Sequence, residues 1–205
     1  MHPRVLSEDA WEVVRRLESA GVLRDWTLAG GTGLALQFGH RYSEDIDLFR
    51  PDSVDAARLV SALAAIGETD VQSRSDDTLH AVLDGLRVSF LAARPPLLFP
   101  GTEYRGLSVA DPRDIAVMKI VAIGGRGSRK DFVDLYFYLK SGATLSGVFT
   151  LLERNFTSLN YNEYHLLKSL AYFDDAELEP MPRMIRKVEW SEIRSHVEEE
   201  VRRLS

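Results

Sequence analysis

Two aspartates, Asp45 and Asp47, are the residues of this 205-residue chain best suited to bind a divalent metal ion. They alternate with Ile46 and Leu48, which is the period of a β-strand, so both carboxylates should point to one face. Their Cα atoms would then lie about 6.5–7 Å apart, near enough for both side chains to reach one ion. Carboxylate oxygens suit Mg²⁺ or Mn²⁺, and Mg²⁺ commonly binds substrate phosphates as well. The pair therefore predicts metal-assisted chemistry at a phosphate group.

A glycine turn, Gly30-Gly31-Thr32, precedes the aspartates and opens a short predicted helix that ends at Phe38 before Gly39. Free backbone N–H groups at a helix N-terminus bind phosphates, and Thr32 can add a hydroxyl. Alone, such a turn is commonly only a tight turn, and a D-x-D strand can be a polar edge strand. Their order and their separation by one short helix favour a nucleotidyltransferase site, where phosphates must be neutralised and aligned.

Three charged residues further along the chain could complete such a site. Lys119 interrupts an apolar helix that Asp111-Pro112 opens, and it could be a snorkelling rim residue or a phosphate-binding cation. Asp131 and Asp134 share one face of the next helix, which we expect to run from Ser128 to Leu139. They could line a polar cleft or form a solvated face.

Two further features bear on that choice. Lys130 stands four residues before Asp134, and this spacing would allow an ion pair on a solvated face. If only one acid faces the cleft, we expect Asp134, because Asp131 can cap the amide of Ser128. Arg41, with His40, lies between the glycine turn and the aspartates, where it could contact the nucleotide or lie on a loop surface.

The elements that must position these groups read, in order, helix, strand, helix, strand, helix and hairpin, which is typical of an α+β domain. The hairpin is predicted at Asp84-Gly85, between strands 79–83 and 86–92. The helix before it is expected at 54–66, capped by Asp52 or Ser53. Three helices are expected at the end of the chain, at 145–156, 161–172 and 190–204. We divide the chain into a core domain at 1–141 and a C-terminal helical region at 142–205.

The composition of the chain limits how it could contact nucleic acid and where in the cell it is expected. The net charge is −6, so any contact with nucleic acid should be local rather than a general basic surface. Two short basic stretches could serve: Arg126, Arg129 and Lys130 around a glycine-rich loop expected at 124–128, and Arg183, Arg186 and Lys187. The alternative is solvated surface charge, which the sequence favours more for the second stretch than for the first. There is no cysteine and no apolar run of the roughly 18–20 residues that a membrane span requires. We therefore expect a cytoplasmic protein without membrane contact.

The segment GGTGLALQFGHRYSEDIDLF, residues 30–49, resembles motif I of the DNA polymerase β-like nucleotidyltransferases, a G-[GS]-[ST] turn followed by D-x-D. It is more similar still to the AbiEii/AbiGii toxins, bacterial nucleotidyltransferases of toxin–antitoxin and phage-abortive systems. DPRDIAVMKIVAI and RGSRKDFVDLYFYL resemble the downstream lysine and K/R-D-x-x-D-L motifs of that family, and LAYFDDAELEPMP resembles its C-terminal helical part.

The resemblance implies a small mixed β-sheet nucleotidyltransferase core packed with helices and followed by a helical region. It implies that Asp45 and Asp47 are metal ligands, that Thr32 contacts phosphate, and that Lys119 with Asp134 completes the active site. The implied reaction moves a nucleoside monophosphate from an NTP to an acceptor hydroxyl, plausibly the 3′ end of a tRNA, and a toxin of this kind implies an antitoxin partner. A protein side chain or a small molecule such as an aminoglycoside is the alternative acceptor, and a non-catalytic module that binds NTP or a partner is the alternative function.

One departure from the pattern concerns the third carboxylate that polymerase β-like enzymes commonly place on a strand beside D-x-D. The matching position here is Ser89, and serine is a poor Mg²⁺ ligand and a weak base. The proton of the acceptor hydroxyl would then go to Asp131 or Asp134, or the activity would be slow or absent.

Overall fold

The strands form one mixed β-sheet in a computed structural model that describes residues 1–93, 95–155 and 162–204. Its strand order is β3-β4-β5-β2-β1-β7-β6. The strands are β1 (Thr27–Leu28), β2 (Asp45–Arg50), β3 (Thr69–Arg74), β4 (Thr78–Leu83), β5 (Leu86–Ala92), β6 (Thr102–Tyr104) and β7 (Leu107–Val109). The pairs β2–β5 and β1–β7 are parallel and the other pairs are antiparallel, which confirms the predicted mixed sheet.

The helices of the described residues cover both faces of this sheet. They are a 3₁₀ helix (Pro3–Val5), α1 (Glu8–Ser19), α2 (Gly30–Phe38), α3 (Ala56–Ala64), α4 (Pro112–Arg126), α5 (Arg129–Leu139), α6 (Leu145–Asn155), α7 (Glu163–Leu170), α8 (Asp174–Leu178) and α9 (Trp190–Leu204). None of the helices in the described part of the chain has the length and hydrophobicity of a membrane span.

Two hydrophobic clusters hold these layers together. In the first, α1 and α3 pack against the apolar face of the sheet, where Ile46 and Leu48 of β2 are fully buried. In the second, α4 and α5 pack with α6, α7 and α9, so its buried residues come from both sides of residue 142. The division into a core domain and a C-terminal region at that residue stays a prediction. Phe49, from the other face of β2, packs against the second cluster.

The predicted hairpin is confirmed, and its register matters for the site. Asp84 and Gly85 both have positive φ, 47° and 83°, as a two-residue turn of this type requires. The turn pairs Leu83 with Leu86 and therefore His80 with Ser89. On the other side of β5, Ser89 pairs with Asp47 of β2.

Several predicted boundaries were wrong. Helix α2 begins at Gly30 rather than Thr32, and α3 begins at Ala56, where the side chain of Asp55 accepts the N–H of Arg58 in place of Asp52 or Ser53. Strands β3 and β6 and helix α8 were not predicted. The ends of the helices predicted at 145–156 and 161–172 fall partly outside the described residues, whereas the helix at 190–204 is confirmed.

The glycine-rich loop predicted at 124–128 was also wrong. Gly124 and Gly125 lie within α4, and the helix ends only at Gly127, whose φ of 57° is the left-handed conformation that glycine adopts readily. The chain therefore reverses within Gly127 and Ser128. This tight connection brings α5 back beside α4, so that both helices present charged residues to the same cavity.

Candidate active site

A cavity of about 730 Å³ opens between the polar face of the sheet, the beginning of α2, the helices α4 and α5, and residues 181–183. Its volume falls in the range of pockets that hold small ligands and cofactors. Of the residues that the sequence assigned to a site, the cavity is lined by Gly30, Gly31, Thr32, Arg41, Asp45, Asp47, Lys119, Lys130 and Asp131.

Asp45 and Asp47 point to the same face of β2, as predicted, and both line the cavity, whereas Ile46 and Leu48 between and after them are buried on the other face. Asp45 forms an ion pair with Arg87, its register partner on β5, with 2.5 Å between Oδ1 and Nε. The guanidinium of Arg87 is largely exposed. A divalent ion bound by Asp45 would therefore compete with a cation that can swing into solvent.

The carboxyl of Asp47 is affected by burial and by its neighbours. Burial raises the pKa of its carboxyl, a hydrogen bond from Ser89 opposes this, and the charge of Asp45 raises the pKa further. A cation placed beside the two carboxylates would favour their charged forms. The described residues contain no cluster of three or more His, Cys, Asp or Glu side chains that could hold a metal ion. The two aspartates thus fit an ion that takes its remaining ligands from water and from substrate phosphates, as Mg²⁺ does.

The glycines at the beginning of α2 permit close approach to these charged groups. Gly30 has a φ of 59°, and a Cβ there would lie 3.1 Å from Asp47 Oδ2. A Cβ on Gly31 would lie 2.1 Å from Nη2 of Arg41, which is closer than two non-bonded heavy atoms can approach. Thr32 is buried, and its hydroxyl donates to the carbonyl oxygen of Asp45 and lies 2.6 Å from Ser43 Oγ. Its predicted contact with phosphate stays a prediction.

Asp134 is the centre of a buried charge network behind the cavity. Its side chain is 0% exposed and accepts two hydrogen bonds from Arg41, at 2.7 Å from Nε and 2.9 Å from Nη2. His40 Nε2 lies 2.8 Å and Lys119 Nζ 2.6 Å from the same carboxylate. Burial opposes ionisation of Asp134, but the charges of Arg41 and Lys119 outweigh it and hold the pKa of that carboxyl well below its usual range.

Asp131 joins this network from the cavity side. Lys119 Nζ lies 2.7 Å from its Oδ1, and Arg126 Nε lies 2.8 Å from its Oδ2. Burial raises the pKa of Asp131, but Lys119 and Arg126 lower it more, so that the carboxyl remains ionised at neutral pH. Asp131 lines the cavity and Asp134 does not, so the expectation that Asp134 would be the acid facing the cleft was wrong.

Other expectations about these residues were also wrong. Asp131 does not cap the amide of Ser128, because its oxygens accept from Lys119 and Arg126. Asp134 forms ion pairs with Arg41 and Lys119 rather than with Lys130, and a hydrogen bond with His40. Lys119 is 4% exposed, so it is a buried bridge between two acids and not a snorkelling rim residue. Lys119 also lines the cavity, and its predicted role toward phosphate stays a prediction.

The basic residues at the cavity differ in how far they are engaged. Lys130 is exposed and has no ion-pair partner within the described ranges, whereas Arg126 is held by Asp131. Arg183 lies over the ring of Tyr42, 4.8 Å from its centroid. Arg129 lies outside the cavity, where it donates to the carbonyl oxygens of Ala176 and Glu177. Arg129 therefore anchors α8 instead of extending the basic patch.

The sequence did not place two parts of this cavity there, although it offered Arg183 of the second part as a candidate for nucleic-acid contact. His80 lines it beside Ser89, with 3.0 Å between Nδ1 and Oγ. The Asp84-Gly85 turn contains the information needed to find this pair, because a two-residue hairpin places residues 80 and 89 opposite each other. The second part is a strap at residues 181–186, which reaches over from the end of the chain. Its Arg183 carbonyl accepts the N–H of Tyr42 at 2.8 Å, and no local sequence signal indicates this contact.

Comparison with solved structures shows the same fold in other proteins. A nucleotidyltransferase candidate from H. pylori is similar over 97% of this chain and 99% of its own, with a TM-score of 0.52 and 15% identity. The antibiotic-resistance factor ANT(2'')-Ia is similar over 71% of this chain and 90% of its own, with a TM-score of 0.55 and 14% identity.

Comparison with known sequences and with protein-family models identifies the family of this chain. The uncharacterized protein aq_aa25 of Aquifex aeolicus is 37% identical over 184 residues, which are 86% of this chain and 87% of that protein. Residues 13–96 and 88–203 match the family described as nucleotidyl transferase AbiEii toxin, Type IV TA system. With the fold and the sequence in agreement, this chain belongs to the AbiEii family of nucleotidyltransferase toxins.

Proposed function

We propose that this nucleotidyltransferase moves a nucleoside monophosphate from a metal-bound NTP to a hydroxyl of an RNA end, and that it acts as the toxin of a toxin–antitoxin pair. The observation that carries the proposal is the position of Asp45 and Asp47, which face the helix N-terminus at Gly30-Gly31 within one cavity. A carboxylate pair beside free backbone N–H groups is an arrangement suited to a metal–triphosphate complex.

Asp45 and Asp47 would hold Mg²⁺ or Mn²⁺, which, when bound, neutralises the phosphates and aligns the α-phosphorus for attack. The N–H groups of Gly30 and Gly31 would bind phosphate oxygens, helped by the positive end of the dipole of α2. Lys119 and Arg126, both tied to Asp131, would place positive charge behind the phosphates. The ion pair between Asp45 and Arg87 would open as the metal–NTP complex enters.

The charge of the cavity supports an anionic acceptor. Among the described residues, six lysines and arginines and four acidic residues line it, although the whole protein has a net charge of −6. Two of the four acids are the proposed metal ligands and a third, Asp131, is already paired with two cations. The fourth acid, Glu44, lies 3.9 Å from Arg183, so a polycationic aminoglycoside would compete with a bound metal or a neighbouring cation for each of these acids. An RNA end would find Lys130 without an ion-pair partner among the described residues, and it could also draw on Arg126 and Arg183, whose side chains are largely exposed. The surrounding negative charge would disfavour long duplexes and favour a terminus such as the 3′ end of a tRNA.

Radiolabel transfer tests the proposal directly. Each of the four α-labelled NTPs would be incubated with the protein, Mg²⁺ and either total RNA or purified tRNA. We expect label in RNA with at least one NTP, dependence on the divalent ion, and loss of labelling by Asp47→Asn. Asp70→Asn is the matched control, because Asp70 is exposed on the edge strand β3 and should label RNA normally.

The alternatives would appear as distinct results. Label in an aminoglycoside but not in RNA would make the protein a small-molecule nucleotidyltransferase. Binding of NTP without transfer to any acceptor would favour a non-catalytic module. In a bacterial host, expression should slow growth, Asp47→Asn should relieve this at equal protein level, and co-expression of a neighbouring antitoxin gene should do the same. Normal growth at high expression would exclude the toxin role.

A further inference from the structure

One row of side chains crosses three neighbouring strands on the cavity side of the sheet. Asp47 on β2 pairs in register with Ser89 on β5, and Ser89 pairs with His80 on β4. All three residues line the cavity, and all are half-buried, so they are open to a ligand within it. The row therefore leads from the proposed metal site to an imidazole.

His80 is held in place through one of its ring nitrogens. Nδ1 lies 3.0 Å from Ser89 Oγ, while Nε2 has no hydrogen-bond partner among the described residues. Imidazole is the commonest general base in enzymes, and it needs one nitrogen to be free and the other to be oriented. The pair of His80 and Ser89 has this form.

Asp131 and Asp134, the two aspartates also considered as the general base, are poorly placed for this role. Asp134 is fully buried and accepts hydrogen bonds from Arg41, His40 and Lys119. Asp131 faces the cavity, but Lys119 and Arg126 occupy its two oxygens. A carboxylate held between two cations is a weak proton acceptor, because they stabilise its charged form.

We propose that His80 is the general base of the transfer reaction and that Ser89 orients it, an inference that rests on the proposed function. In this step the acceptor oxygen forms a bond to the α-phosphorus of the NTP. The bond from that phosphorus to the bridging oxygen breaks, and pyrophosphate leaves with the electron pair. The proton of the acceptor hydroxyl passes to Nε2 of His80 and is lost to water after the products leave.

The arrangement also specifies the tautomer of His80. Ser89 has one hydroxyl proton and faces the carboxylate of Asp47 across the strand pair. When that proton points to Asp47, Oγ can only accept a hydrogen bond from Nδ1–H of His80. The lone pair is then on Nε2, where a base requires it.

Chemical rescue tests the role of His80. General bases contribute about 10²–10⁴-fold to rate, so His80→Ala should lower kcat for pyrophosphate release by about 100-fold or more while the Kd for NTP and Mg²⁺ is unchanged. Added imidazole should restore part of the rate to His80→Ala. Ser89→Ala should also lower the rate, but imidazole should not restore it, because the ring is present and only misoriented. His165→Ala is the matched control, since His165 is exposed and lies outside the cavity.

Nitrogen-15 NMR of the unaltered protein gives a readout that does not depend on turnover. We expect the neutral form of His80 to carry its proton on Nδ1, and a neutral form protonated on Nε2 instead would overturn the assignment. Pyrophosphate release by His80→Ala within threefold of the unaltered protein, with Asp47→Asn inactive, would overturn it while leaving the proposed function intact. If the unaltered protein released no pyrophosphate with RNA or with water as acceptor, both proposals would fall.

Discussion

The buried carboxylate of Asp134 should be required for stability more than for chemistry. Asp134→Asn keeps the shape of the side chain but removes the charge that faces Arg41 and Lys119. Lys119 retains Asp131, so the unpaired charge falls mainly on Arg41, whose guanidinium is buried. Removing one partner of a buried ion pair costs about 3–5 kcal/mol. For a chain of this length, each kcal/mol lowers Tm by about 2–4 °C, so we expect a fall of roughly 6–20 °C.

Asp45→Asn provides the matched comparison, because the same substitution there breaks an ion pair with Arg87, whose side chain is largely in solvent. Exposed pairs of this kind contribute about 0–1 kcal/mol, so Tm should move by at most about 4 °C. Both variants would be unfolded by heat and by urea, with the slope of the urea transition checked to be unchanged. A Tm for Asp134→Asn within 2 °C of that for Asp45→Asn would refute the role given to the buried network.

The pH dependence of the same variant tests the electrostatic origin of its loss. The folded pKa of Asp134 is held well below the unfolded value near 3.8, against the effect of burial, by Arg41 and Lys119. Its contribution to stability is therefore fully present above the unfolded pKa and declines as pH falls through the folded one. The difference in free energy of unfolding between the unaltered protein and Asp134→Asn should be full at pH 7 and smaller at pH 3. An undiminished difference at pH 3 would indicate lost packing instead of lost charge.

Two further substitution pairs test the site. Gly31→Ala should destabilise the protein, because its Cβ would collide with Arg41. Gly125 lies within α4 with open space around it, so Gly125→Ala should stabilise the protein by up to about 1 kcal/mol. Thermal unfolding compares the two variants, and equal shifts in Tm would contradict the contact between Gly31 and Arg41. Lys130→Ala should weaken RNA binding in a filter-binding titration, and the slope of log K against log salt concentration should become shallower by about 0.7, with Tm unchanged. Arg129→Ala should lower Tm and leave that slope unchanged. The reverse pattern would exclude Lys130 as a phosphate contact.

How far the sequence predicts this site depends on how local each contact is. The shared face of Asp45 and Asp47 follows from the period of a strand, and the hairpin follows from Asp84-Gly85, so both were predictable. The bond between Arg41 and Asp134 joins residues 93 positions apart, and nothing local distinguishes it from a solvated arginine and a solvated aspartate. For the same reason the sequence suggested a Lys130–Asp134 pair at helical spacing, which the buried partners of Asp134 replace.

The end of α4 shows a second reason why the sequence alone did not predict the structure. Three glycines within four residues predict a loop, but α4 continues through Gly124 and Gly125 and ends at Gly127. Gly124 lies against Leu166 of α7, where a Cβ would approach its side chain to 2.4 Å. Close packing between two helices explains why glycine stands there, and helix propensity alone cannot reveal it.

The strap at residues 181–186 has a consequence for the order in which this protein is made. Synthesis proceeds from the N-terminus, so β2, which carries Asp45 and Asp47, and its neighbours β1 and β5 are all made before Arg183 and can begin to pair first. Only then can the carbonyl of Arg183 accept the N–H of Tyr42 and close the wall of the cavity. A nascent or prematurely ended chain would thus have its carboxylates in an open groove. The wall of the cavity can therefore close only after the strap has been synthesised.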